Sequence, residues 1–464
     1  MQSVISALNS FFSGPVMVWG VAAVGLILTC KTRFVQFTKL GYTLRYVFSG
    51  MFRRPEGKQG GITPFQAVTT ALSGTLGTGN IAGVAAAVSI GGAGAIFWMW
   101  VSAFFGMATK YSEIVLAMRY RRRRADGSFA GGPMYYLERA TGGRKLAVVF
   151  AAVCLCSSFF MGNMVQSNTA AMAISAISGW GPEKIRLLFA GIAVLVGFVI
   201  IGGIRRIARV TEALVPAMAL FYIGGCLVVI CMNPSGLLAA FGEIFASAFS
   251  VRSAAGGIVG YGMAQAIRVG FTRGVFTNEA GLGSAPIAHA AAENPSPAKQ
   301  GLWGIFEVFF DTIVMCTLTG LVIVISGVHR GGGSDGAALT LLAFDRYLGG
   351  FAVLLIGIST AFFAVATIIG WSYYGESCVK YLFRSRAAMF VYKSCYVLAV
   401  YLGAVTAIDM VWGLADLFNS LMMIPNLIGV VLLSDTVKQE TALLREGIRE
   451  DRKKKFGRNS EHSG

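Results

Sequence analysis

The chain has 464 residues, of which 55% are apolar and only 13% charged, with 59 glycines. A soluble domain carries about 25% charged residues, whereas several apolar runs here are long enough to cross a hydrocarbon core of about 30 Å. The composition therefore excludes a soluble protein and defines a polytopic, all-α membrane protein. The formal charge of +17 does not point to nucleic acid, because Lys and Arg fall in particular loops, as the positive-inside rule describes.

The spans are numbered α1–α11 in chain order. The first, α1, is expected from about 15 to 30. It lacks a basic leader and many spans follow, so it reads as a helix that stays and not as a cleaved signal. A basic stretch comes next, with Lys31, Arg33, Lys39, Arg45, Arg53, Arg54 and Lys58. In it Leu40, Leu44, Val47, Phe48 and Met51 recur at helical spacing, which predicts a segment lying along the membrane surface. Thr63-Pro64 is a helix start, with Thr as N-cap and Pro in the first turn. It opens α2, from 64 to 91. The turn Gly91-Gly92-Ala93-Gly94 leads to α3, from 95 to about 120, which ends in Arg119 and Arg121 to Arg124. The long α4, 146–177, carries the polar run Gly162-Asn163-Met164-Val165-Gln166-Ser167-Asn168. Then come α5 (185–202), a basic turn with Arg205, Arg206 and Arg209, and α6 (212–232).

A weakly charged linker leads to α7, from 256 to about 292, which Asn294-Pro295-Ser296-Pro297 terminates. The remaining spans are α8 (303–326), α9 (351–374), α10 (388–407) and α11 (411–433), and the charged tail predicts a surface helix over 441–452. With the N-terminus outside, the loops after α1, α3, α5, α7, α9 and α11 are cytoplasmic and hold the main basic clusters, while the outer loops carry few such charges. Eleven spans, N-out and C-in, in a cytoplasmic membrane follow. The eight cysteines show neither a disulfide framework nor metal-ligand spacing.

Two spans are interrupted. Within α2, Leu72 to Gly83 reads Leu-Ser-Gly-Thr-Leu-Gly-Thr-Gly-Asn-Ile-Ala-Gly, and within α7 Gly270, Gly274, Gly281 and Gly283 flank Thr277-Asn278-Glu279. Glycine weakens a helix, and unwound backbone survives at membrane depth only where it is buried or lines a cavity. Small-residue packing is the competing explanation for either stretch alone. Removing α1 leaves two sets of five helices, the second inverted because five is odd, and the first member of each set is the broken one. Interrupted helices in corresponding positions mark the binding site of a secondary transporter. The chain accordingly divides into a leading segment (1–62), a first five-helix repeat (63–232), an inverted second repeat (250–433) and a basic tail (434–464).

A small zwitterion at such breaks needs partners for a carboxylate and an ammonium. Backbone N–H groups around Thr78, Gly79 and Asn80 suit the carboxylate; Gln166 and Asn278 offer directed hydrogen bonds, or else helix–helix bonds; Phe276 and Trp371 offer apolar walls, or else core packing. A sodium ion takes hard oxygens, here the unwound carbonyls near Ser73 and Leu76 with the hydroxyl of Thr367. Membrane-depth charges include Glu113, Glu279, Glu307 and Asp311, with Lys110, Arg268 and Arg273 as partners. Lys110 and Glu113 are expected to pair with each other, or Glu113 with Arg119, and Arg273 with Glu279; Asp311 keeps proton coupling open. His289, His329 and His462 form no cluster, and no nucleophile–base pair or metal motif suggests an enzyme.

Several long motifs resemble the alanine/glycine:cation symporter family across about residues 15–435. They are Thr63-Pro64-Phe65-Gln66-Ala67, Gly77-Thr78-Gly79-Asn80-Ile81-Ala82-Gly83, Ala95-Ile96-Phe97-Trp98-Met99-Trp100-Val101, Gly131-Gly132-Pro133-Met134-Tyr135, Gly162-Asn163-Met164-Val165-Gln166, Asn278-Glu279-Ala280-Gly281-Leu282-Gly283-Ser284-Ala285-Pro286, Gly370-Trp371-Ser372-Tyr373-Tyr374-Gly375-Glu376 and Ile424-Pro425-Asn426-Leu427. The resemblance implies a leucine-transporter-like fold of five plus five helices after one leading helix. It also implies sodium- or proton-coupled uptake of alanine or glycine, with no organic cofactor and membrane lipid as the surrounding partner. It places Thr78, Gly79, Asn80 and Gln166 on the substrate, Trp371 over it, and sodium between the carbonyls near Ser73 and Leu76, the Phe363 carbonyl and the Thr367 hydroxyl. Ala366 stands where the family pattern suggests a second hydroxyl, Gly61 where it has an acid, and Ala93 where it has a proline. An exporter or channel using the same pore is the alternative.

Overall fold

The computed structural model describes residues 8–9, 12, 17–51, 61–125, 127–250, 261–331, 336–406 and 408–461. The start of α1 at Pro15, the basic residues Arg53, Arg54 and Lys58, the first residues of α7 (256–260) and His462 lie outside them. Seven helices are long and apolar enough to span a bilayer: Lys145–Ala176, Pro182–Ile201, Gly203–Met232, Pro297–Ser326, Phe351–Leu382, Arg386–Val405 and Val411–Leu432. They correspond to α4, α5, α6, α8, α9, α10 and α11. The bent pair Pro64–Thr75 and Thr78–Gly91 makes α2 the eighth. The other expected spans correspond to Met17–Lys31 for α1, Gly94–Arg119 for α3, and Tyr261–Asn278 with Ala285–His289 for α7. Strand structure among the described residues is confined to a small hairpin, Arg122–Arg123 against Phe129–Ala130.

Burial separates the centre from the rim. In α9, 67% of the apolar window is buried inside the protein, against 28% in α5 and in α10, so α9 is central and the other two face lipid. The surface segment before α2 forms the helix Leu40–Met51, with only Thr43 and Val47 buried. Thr63 caps α2 as expected: its Oγ1 accepts the Gln66 N–H at 2.9 Å, and Gln66 Oε1 accepts the Thr63 N–H at 3.1 Å. The Gln66 amide also donates to Glu212 on α6 at 2.9 Å. Replacing Thr63 by Ala is expected to cost about 1 kcal/mol, read as a lower melting temperature in detergent with transport retained.

Four stretches differ from expectation. The basic turn before α6 is helical: Gly203, at φ 63°, makes the elbow and α6 runs from there to Met232. Only glycine takes that backbone conformation cheaply. The linker after α6 contains the helix Pro234–Phe249, capped by Asn233, and the loop before α9 contains Ala337–Leu348. The tail helix is longer than expected, Ser434–Glu461.

Candidate functional site at two broken helices

The first half of α2 stops at Thr75, the second begins at Ala82, and their axes differ by 58°. Leu76 leaves the helix with ψ 84°, and Thr78–Asn80 form a single 3-10 turn. The Gly77 N–H donates to the Asn80 side-chain oxygen at 3.1 Å instead of closing the helix. The last carbonyls of the first half thus lack the amides that a continuous helix supplies, while the second half opens with amides at its positive end. In α7 the first half ends at Asn278. Glu279, Gly281 and Gly283 then take φ of 55°, 91° and 80°, and a short helix, Ala285–His289, follows.

Two neighbouring spans carry π-helical turns at the level of the breaks, Phe160–Met164 in α4 and Phe309–Cys316 in α8. A π turn adds a residue and shifts the helix's own hydrogen bonds, and such turns concentrate at functional sites. Side chains take up carbonyls there. The Gln166 amide donates to Met161 O at 3.2 Å, and the Asn80 amide reaches Asp311 O at 3.4 Å.

The structure brings Thr78, Gly79, Gln166 and Phe276 together. The Thr78 hydroxyl donates to Gln166 Oε1 at 3.2 Å. A Cβ at Gly79 would stand 3.2 Å from the Thr277 methyl and 3.7 Å from the Phe276 ring, so the two breaks touch there. Asn80 turns to α8, where its amide donates to Asp311 Oδ1 at 2.7 Å. Asn278 also turns away from the first break: its oxygen accepts the Ala280 N–H at 3.0 Å and its amide donates to Thr312 at 3.1 Å. Trp371 is fully buried, with its indole N–H on Glu279 Oε1 at 3.1 Å and its ring against Gly162. Both residues therefore hold the second break.

The four residues expected around a cation lie along one line of contact between α2 and α9. A Cβ at Gly77, next to Leu76, would stand 3.1 Å from Thr367 Oγ1, and one at Gly370 would overlap Ser73 Oγ. The Thr367 hydroxyl donates to the Phe363 carbonyl at 2.9 Å. The buried ion pairs differ from expectation. Lys110 pairs with Glu307 at 3.2 Å and not with Glu113, and Glu113 accepts from Asn426 rather than pairing with Arg119. Arg273 sits 5.7 Å from the Phe276 ring centre, while Glu279, in its left-handed turn, faces Trp371 and Ser284. The contacts of Asp311, Thr277 and Arg121 were not foreseeable one by one. Their only signal was an acid, a hydroxyl and a basic run at the ends and breaks of spans.

One end of the broken helices opens to clefts and the other is tied. A cleft of about 290 Å³ is lined by Ile90, Gln265, Arg268, Arg273, Phe276 and Asp416. A second, of about 360 Å³, is lined by Ala82, Thr169, Thr360 and Trp412 among others. Phe276, stacked on Trp412 at 6.1 Å, contributes to the first and its partner to the second. At the other end Ile62 bridges Ala292, and the Gly61 N–H donates to Glu293 at 2.7 Å. Arg121 donates to the carbonyls of Ala290, Ala292 and Asn294 at 3.1, 2.5 and 3.1 Å.

A membrane bundle with two broken helices touching at their breaks defines a transporter, and its relatives agree. The profile of the sodium:alanine symporter family matches residues 1–458. The chain is 45% identical to the sodium/alanine symporter AgcS of Methanococcus maripaludis, over 96% of this chain and 97% of that one. It is 36% identical to the probable sodium/glutamine symporter GlnT of Bacillus subtilis, over 94% and 89%. The fold is similar to that of a Na+-coupled sialic acid symporter, solved in a substrate-bound outward-open state, with a TM-score of 0.52 at 12% identity, covering 88% of this chain and 86% of that one. The chain belongs to the sodium:alanine symporter family. It has the leucine-transporter-like fold and is a transporter, not an enzyme.

Proposed function

We propose that the protein carries a small neutral amino acid, alanine or glycine, into the cell together with sodium, by alternating access across the cytoplasmic membrane. The observation that carries this reading is the meeting of the two breaks in a buried site, with Gly79 against Thr277 and Phe276 and Thr78 bonded to Gln166. The amides of Thr78, Gly79 and Asn80 receive the substrate's carboxylate at a helix start. Gln166 adds a directed hydrogen bond, and Phe276 confines the side chain to a small one. Sodium takes the carbonyls near Ser73 and Leu76, the Phe363 carbonyl and the Thr367 hydroxyl. Asn278 and Trp371 set the second break, since their polar groups are already engaged there.

With the N-terminus outside and the C-terminus inside, the tied ends at Ile62 and Ala292 are cytoplasmic and the clefts face outward. The repeats 63–232 and 250–433 then move against each other to exchange access. The test is purified protein in liposomes, labelled alanine outside, with sodium and pH gradients imposed separately. Uptake is expected to follow an inward sodium gradient. Thr367→Val is expected to raise the sodium needed for half-maximal uptake about tenfold or more, the loss of roughly 1.4 kcal/mol of binding. Uptake indifferent to both gradients sinks symport, and net movement only outward makes the protein an exporter.

A further inference from the structure

The rim spans α5 and α10 enclose a groove of about 820 Å³ between them. That is within the range of about 300–1,000 Å³ usual for ligand pockets. Its walls are Val194, Phe198 and Ile201 of α5 and Met389, Phe390 and Val397 of α10, and the buried Gly197 forms its floor. Ile201 is 69% and Phe390 73% exposed, so these side chains meet bilayer and not protein. The α10 wall, Arg386 to Val397, is about 17 Å long, close to half of a hydrocarbon core of about 30 Å. The groove therefore has the depth of one leaflet.

Its charged end is one-sided. From 376 to 393 the chain carries Lys380, Arg384, Arg386 and Lys393 against one acid, Glu376, and the elbow between α5 and α6 adds Arg205, Arg206 and Arg209. Glu376 is already engaged by Lys380 at 2.5 Å and by Lys393 at 3.0 Å, and Lys393 also donates to Ile200 O at 2.8 Å. Arg386 lines the groove and makes no hydrogen bond or ion pair among the described residues. It opens α10, whose first turn holds no acid, so the positive end of the helix dipole adds to its charge.

We propose that this groove binds one anionic phospholipid, with an acyl chain between Phe198, Ile201 and Phe390 and the phosphate on the Arg386 guanidinium. An apolar slot one leaflet deep, closed by an unpaired arginine, matches the two ends of such a lipid, and basic pockets between spans are known headgroup sites. A second copy fits less well. Two chains that share one orientation in the membrane would bring both Arg386 ends to the same depth, like charge beside like. The occupant also bears on the transport core. Tyr392 and Tyr396 of α10 donate to the Ser372 and Ile368 carbonyls of α9 at 2.9 and 2.8 Å, on either side of Trp371. A lipid that holds α10 against α5 therefore braces the part of α9 that sets the second break. Only the leaflet, the cytoplasmic one, rests on the topology proposed above; the site itself does not.

The test uses delipidated protein in detergent, titrated with phosphatidylglycerol or phosphatidylcholine, with bound lipid counted by native mass spectrometry and stability by thermal melting. Phosphatidylglycerol is expected to be retained and to raise the melting temperature more than phosphatidylcholine does. Arg386→Ala should weaken its binding about fivefold, the effect of one basic side chain, and Arg386→Lys should restore most of the preference. Val194→Trp, which fills the groove from its exposed rim, should abolish retention of either lipid while the protein stays monodisperse. Equal stabilisation by the two lipids overturns the proposal. So does an equal loss in Arg45→Ala, an exposed arginine on the surface helix Leu40–Met51, which would mean that the whole basic face attracts the lipid. A lipid-free dimer that Val194→Trp dissociates would assign the groove to a second copy. None of these outcomes depends on uptake, so sodium-coupled transport stands or falls separately.

Discussion

Gly79→Val is expected to reduce uptake more than 100-fold, and Gly79→Ala about tenfold, with the protein still monodisperse in detergent. A Cβ at this position meets the Thr277 methyl at 3.2 Å, a tighter approach than ordinary packing, with Phe276 just beyond at 3.7 Å. The glycine is needed because the first break touches the last helical turn of α7 before the second break, not because of its own backbone angle. Overpacking of this kind costs about 1–3 kcal/mol, and each 1.4 kcal/mol is about tenfold. Alanine asks the neighbour to yield by a few tenths of an ångström; valine adds branches that the Phe276 ring blocks. The contact can be isolated, because Thr277→Ser removes the offending methyl and keeps the hydroxyl. The double variant Gly79→Ala/Thr277→Ser should recover most of the alanine uptake lost in Gly79→Ala, as a cycle for two touching residues requires. Equal uptake in the double and the single variant would show that something other than this contact excludes a side chain.

The features legible in the sequence are those set by local chemistry. Thr63-Pro64 opens α2 because the cap and the missing proline N–H are properties of two adjacent residues. The glycines of α2 and α7 mark the breaks because their helix cost is intrinsic. The same rule was available at Asn233-Pro234, which begins the helix placed in a linker. The two π turns carry no propensity signal. An extra residue in a turn arises from what α4 and α8 pack against, and it changes which carbonyls are free without changing composition. For that reason Asp311 could be noticed as a charge but not placed against Asn80. The pairing of Lys110 with Glu307 had the same difficulty. Glu113, three residues away on the same helix, is the local choice, yet α8 brings Glu307 closer. Asn278 is legible at the second break, but Trp371 reads as a wall over the substrate, and only the left-handed turn at Glu279 decides that its indole bonds to that carboxylate.

Arg121→Ala is expected to open the tied end of the broken helices. The guanidinium donates to three carbonyls, of Ala290, Ala292 and Asn294, at the C-terminal end of α7, where a cation is favoured by the helix dipole. It also lies 3.9 Å from the Phe129 ring centre, so the hairpin after α3 clamps the end of α7. The end of α7 in turn holds the start of α2, through the bridge from Ile62 to Ala292 and the bond from Gly61 to Glu293. Hydrogen bonds to a charged group contribute about 1.5–3 kcal/mol each. Losing the set should move the balance between tied and open states at least tenfold, and outward-facing affinity should fall with the fraction still competent, as for any conformational equilibrium of this kind. Arg121→Lys should fall between the two, because one ammonium cannot span three carbonyls as the planar fork does. The direct measurement is reaction of a cysteine placed at Ala291, buried beside Ile62, with a water-soluble maleimide. Native Cys30, Cys231 and Cys395 are exposed and must first be replaced. Labelling should be at least about tenfold faster in Arg121→Ala than in the parent, and slowed again by sodium with alanine if bound substrate draws the ends together. Equal labelling rates would mean that Arg121 braces the hairpin alone and that the contact between Ile62 and Ala292 closes this end without it.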